Sequence, residues 1–118
     1  MPQAFPPPFN RLSGFDFAAA SAIAPQIGVK LYTMHWPMIL RNWANSLMAM
    51  APQLDGNAIA DALVGLLGTG DPEPHALSRL TYPAPDAPHP ASDAAMAQKI
   101  AKARAEAPGA SIVAFAHA

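Results

Sequence analysis

Cysteine is missing from this 118-residue chain. No disulfide framework and no thiolate metal site can form, which fits a reducing cytoplasm. Charge is scarce as well: Asp, Glu, Lys and Arg make up 13% of the residues and nearly cancel, leaving a net charge of −1. Disordered chains normally stay apart through charge, so a fully disordered polymer is not expected. Large aliphatic side chains are also few. Leu, Ile, Val and Phe supply about a fifth of the chain, a level at which a self-sufficient core falls short. The 52% hydrophobic fraction leans heavily on Ala, which buries little area. Nor is there an uninterrupted apolar run. The best window, residues 31–51, holds Arg41, Asn42, Asn45 and Ser46 near its middle, and a central Arg costs about 2.5–3.5 kcal/mol on insertion. The start, Met1 to Pro8, lacks the basic and apolar regions of a signal peptide. A cytoplasmic protein is expected, with peripheral attachment to a membrane as the variant.

Proline, by contrast, is abundant at fourteen residues. It excludes regular structure wherever it clusters. Together with the excess of Ala and the lack of Cys, it reads as a high-GC bacterial composition. Residues 1–20 form a Pro/Phe-rich segment in which Pro6-Pro7-Pro8 favours polyproline II. Phe5, Phe9, Phe15 and Phe17 punctuate it at no regular period. Each would cost about 1.5–3 kcal/mol to leave in water. An extended arm is expected there, folded back on the chain or lying in a partner's groove.

The largest specific surface lies between Val29 and Met50. Val29, Tyr32, Trp36, Leu40, Trp43, Leu47 and Met50 are separated by steps of three and four, so on an α-helix they share one side. Ile27, Leu31, Met34 and Met38 form a second apolar line nearly opposite. Pro37 removes an amide donor, so the segment either kinks there or begins a fresh helix with Pro37 in its first turn. Past Pro52, Asp55 or Asn57 can cap a second helix, Ile59, Leu63, Leu66 and Leu67 give it an apolar face, and Gly68 and Gly70 end it. His75 to Leu80 has room for a short helical turn. Residues 81–91 alternate Pro with other residues and read as a stiff linker. Ser92 can cap a final Ala-rich helix over about 93–107, followed by an apolar tail that suits a short strand or an anchoring peptide.

The expected fold is therefore mainly α: a short antiparallel helical hairpin with an extended Pro-rich N-terminal arm and linker, plus a C-terminal Ala-rich helix. Residues 21–80 hold the helical core, with the hairpin at about 38–67, and residues 92–118 hold the last helix and tail.

Chemistry-bearing patterns are weak. No Ser sits in a nucleophile elbow, and without Cys no thiol nucleophile exists. The four histidines, His35, His75, His89 and His117, form no His-Glu-x-x-His run. His75 with Asp71 and Glu73, or His89 with Asp86, would meet a metal only from loop positions. His35, between Met34 and Trp36, is the one candidate to hold a cofactor such as haem. Gly65 to Gly70 lacks the Lys-Ser/Thr of a phosphate loop and ends a helix, where the dipole repels anions. Lys99, Lys102 and Arg104 are too few to make nucleic acid an expected partner. No catalytic residue, metal or cofactor is assigned.

These features point to a non-catalytic accessory or assembly subunit. It is expected to dock on a larger protein complex, or to self-associate, through Tyr32, Trp36, Leu40, Trp43, Leu47 and Met50, helped by Phe5, Phe9, Phe15 and Phe17. Adsorption to a membrane or storage-granule surface is the alternative, and a cofactor-holding subunit using His35 the third.

Overall fold

The computed structural model describes residues 1–69, 75–88 and 91–116. It contains a parallel sheet of three strands, in the order β1 (Gln3–Ala4), β2 (Gln26–Lys30), β3 (Ser111–Phe115). Helix accounts for about 50% of the chain and strand for 11%. The expectation of a mainly α hairpin with an extended arm is thus corrected to a mixed α/β fold. The N-terminal segment is not an extended arm: it holds β1, a 3-10 turn over Phe9–Ser13 and helix α1 (Phe17–Ser21). Val29, taken as the first residue of a helical stripe, lies in β2.

The chain divides into two compact units. The first joins residues 1–32 to residues 93–118, which bring helix α4 (Asp93–Glu106) and β3. β2 runs through its middle. Strand alternation puts Ile27, Val29 and Leu31 on one face, and these are 0%, 0% and 4% exposed. Gly28 lies on the other face. A Cβ there would come within 2.6 Å of the Phe115 ring and 3.1 Å of Gln3 Cγ, so glycine lets the two neighbouring strands lay side chains across β2. α1 packs on β2 and α4, and α4 packs on β3. The start of α1 is fixed by Asp16, whose carboxylate accepts the Ala19 amide at 3.0 Å.

The second unit, residues 33–92, is helical. α2 (Trp36–Met50) carries Pro37 in its first turn, where the missing amide costs nothing. α3 (Gly56–Leu67) is capped by Asp55, which accepts the Ala58 amide at 2.9 Å. It stops at Gly68, whose φ of 60° is left-handed. The helices pack on each other, and Ala44 on α2 and Ala60 on α3 are both 0% exposed. A 3-10 turn over Leu77–Arg79 is tied to α3, where the Leu77 amide donates to Asn57 Oδ1 at 3.1 Å. The described part of the 81–91 linker contains a turn, with the Ala87 amide donating to Ala84 O. Among the described residues, no helix is long and apolar enough to cross a membrane.

In the first unit the α4 side chain Lys99 is only 3% exposed. Burial pushes its ammonium down from 10.5 to about 8, with the charge of Lys102 adding to the effect. A base whose folded value is lowered binds fewer protons folded than unfolded between those two limits. Stability therefore rises as pH climbs from about 8 to 10.5 and gains nothing from Lys99 below that window. Denaturant midpoints of the wild type are expected to increase across this range. Lys99→Met should flatten that increase; an unchanged slope in the variant would refute the assignment.

Candidate interaction surface

α2 is where the large aromatic side chains were expected to gather, and its surroundings divide them. At about 100° per residue, the buried residues Trp36, Pro37, Leu40 and Ala44 centre about 50–60° round the helix from the stripe read in sequence. Trp36 and Leu40 are each 1% exposed, inside the second unit. Trp43 is 40% exposed and Met50 83%, with Leu47 half-buried between them. The facing helix covers the Leu40–Ala44 side, so the Trp43–Met50 edge of the stripe turns outward.

Trp43 borders an open hollow of about 350 Å³, flanked by Asn42 and Ser46. Ser46 Oγ donates to Asn42 O at 3.0 Å, so this polar border is itself organised. Leu54, 42% exposed in the connection to α3, was not among the expected site residues. Its place four residues beyond Met50, but past Pro52, broke the helical count that would have included it.

The aromatic residues of the N-terminal segment are placed differently. Phe5 meets Phe9 edge-on at 5.0 Å and Tyr32 at 5.4 Å between ring centroids, all in the first unit. Phe15 and Phe17 form a second pair at 5.0 Å. Phe17 is 1% and Phe9 9% exposed, whereas Phe5, Phe15 and Tyr32 are half-buried. Tyr32 has φ 49°, a left-handed value that costs a non-glycine residue about 1–3 kcal/mol. That turn leaves β2 and aims the ring at Phe5. Nearby in sequence, Asn10 is 3% exposed and donates Nδ2 to Phe15 O at 2.8 Å, pinning the loop between the two ring pairs.

His35 precedes α2, half-buried, with its ring edge-on to Tyr82 at 5.7 Å. Behind Trp36 and Leu40 lies a cavity of about 40 Å³ that Thr69 and His75 also line. It has room for a water beside the buried Thr69 hydroxyl, not for an organic cofactor. Among the described residues no three of His, Cys, Asp and Glu converge. Asp71, Glu73 and His89, considered above as possible ligands, lie outside the described residues.

Compared with protein-family models, curated proteins and solved structures, the chain matches none.

The division of α2 is measurable by stability. Trp36→Ala is expected to cost about 3–5 kcal/mol, as for a large aromatic removed from a sealed core. Trp43→Ala should cost about 1 kcal/mol or less. Equal losses in denaturant titration would mean that both rings serve the core.

Proposed function

We propose that this chain is a non-catalytic accessory subunit whose α2 edge, Trp43, Leu47 and Met50, docks into an apolar groove of a larger protein. One observation carries this: of two tryptophans in the same helix, Trp36 is 1% exposed and Trp43 is 40% exposed. A large ring that keeps 40% of its surface exposed, with an 83%-exposed Met seven residues on, presents apolar area outward along one edge of the helix. The spacing Trp43, Leu47, Met50 is the i, i+4, i+7 pattern with which a helix enters a groove. Aromatic side chains in a polar border are also the usual anchors of protein interfaces. α2 carries a single charge, Arg41, whereas a helix lying on lipid typically bears a basic polar face. That favours a protein partner over a membrane or granule surface.

The test is native mass spectrometry of the tagged chain isolated from its source cells, run beside two variants. The wild type and Arg41→Ala should each retain a larger partner, and Trp43→Asp should lose it while keeping its helical circular dichroism. Retention of the partner by folded Trp43→Asp would overturn the proposal. So would a wild-type chain that carries no partner and gains helix on lipid vesicles.

A further inference from the structure

β3 is an edge strand, and the directions of its backbone groups follow from the ladder. The Ser111 amide donates to Pro25 O at 2.9 Å, and Phe115 O accepts from the Leu31 amide at 2.9 Å. With Ile27 opposite Ile112 and Val29 opposite Ala114, a parallel register turns both backbone groups of Ser111, Val113 and Phe115 toward β2. Those of Ile112 and Ala114 therefore point away from the sheet. Among the described residues, no other strand borders β3 and no backbone bond beyond the sheet reaches Ile112 or Ala114. Ala114 is exposed and Ile112 half-buried, so the edge is open to an approaching strand.

Open edges are normally blunted by charge, proline, bulges or shortness. β1, on the opposite edge, is blunted in this way: it has two residues, with Pro2 before it and Pro6 soon after. β3 has five residues, Ser-Ile-Val-Ala-Phe, with neither a charge nor a proline.

From this geometry we infer that β3 pairs antiparallel with the β3 of a second copy of the chain, doubling the sheet across a two-fold axis at Val113. The register is self-complementary. Ile112 and Ala114 lie equally far on either side of Val113, so Ile112 of one copy falls opposite Ala114 of the other. In a hydrogen-bonded antiparallel pair both bonds are exchanged, and the two-fold supplies the second such pair, so every outward group of these residues is used. A charged edge would repel its own copy, and this one has no charge to do so. With β1 blunted, each copy offers one usable edge, so the contact is isologous and closes at a dimer rather than extending into a fibre. The inference concerns β3 alone and stands or falls separately from the role proposed for α2.

Sedimentation of the purified full-length chain over a dilution series, joined to amide exchange by NMR, tests it. The wild type should form a dimer. Ile112 and Ala114 amides should be protected in the dimer and lose protection on dilution, while the Val113 amide, bonded within the chain, stays protected throughout. Ala114→Pro removes an outward amide only, a change edge strands tolerate, and should give a folded monomer. Trp43→Asp should remain dimeric. Should Ala114→Pro fail to fold, the concentration dependence of exchange in the wild type decides. A wild type that is monomeric throughout, a dimer that survives Ala114→Pro, a dimer lost in Trp43→Asp, or exchange at Ile112 and Ala114 that ignores concentration would each overturn the inference.

Discussion

β2 is paired on both sides by segments that the chain supplies from opposite ends. Gln3 and Ala4 run along one edge, and Ser111 to Phe115 along the other. Closing that ladder carries a loop-entropy cost, because the β2 and β3 partners are separated by the whole helical unit and α4. The compensating gain is the burial of Ile27, Val29 and Leu31, in a chain with few large aliphatic side chains to bury. Substituting Gly28 would strike at the same point, since Phe115 and Gln3 occupy the space where its side chain would lie. The first unit therefore exists only when both ends of the chain have arrived. The helical unit is an insertion between β2 and α4, with a core of its own.

That insertion explains why the surface of α2 is divided. A two-helix unit with one short 3-10 turn covers an arc of each helix and no more. Trp36, Leu40 and Ala44 fill the arc facing α3, together with Val64 and Leu67 on that helix. Trp43 and Met50 lie one step round and stay 40% and 83% exposed. The scarcity of large residues in the composition becomes, at the level of packing, an unfinished face.

The helices were the legible part of the sequence. Pro37 near a helix start, Asp55 as a cap and Gly68 as a left-handed stop act locally, and each is found in that role. The sheet was legible only in part: the apolar tail suited a short strand, which it forms as β3, and β2 left a trace. Ile27, Val29 and Leu31 alternate with Gly28 and Lys30 at the period of a strand, but over five residues that pattern also fits two sides of a helix. Val29 and Tyr32 happen to be in step with Trp36, and this coincidence extended the helical stripe back through β2. β1 is two residues long, and the pairing of β1 and β3 with β2 was not readable because parallel pairing gives neither a hairpin turn nor any short-range signal. The phenylalanines misled for a related reason. Without a regular period they read as a loose arm, whereas they pack as ring pairs around a turn whose geometry depends on Tyr32 at positive φ. For the candidate surface, the residues of the stripe were visible and their phase was not: a rotation of less than one residue's arc decides which tryptophan is inside.

The two surfaces left over, the α2 edge and the β3 edge, share a chemical character. Neither is charged beyond the lone Arg41, and the whole chain carries a net charge of −1. Electrostatic steering raises encounter rates and rejects wrong partners by repulsion, and surfaces with so little charge of their own add little to either effect. Recognition must then come from shape and from hydrogen-bond register. A strand edge supplies register through its backbone, because a slip of one residue turns its bonding groups away from the partner. In the docking proposed for α2, the helix edge would supply shape through the exposed part of the Trp43 ring. In a chain this poor in charge, the two proposed contacts depend on geometry for selectivity, and that geometry is held by β2 in one unit and by the packing of α2 on α3 in the other.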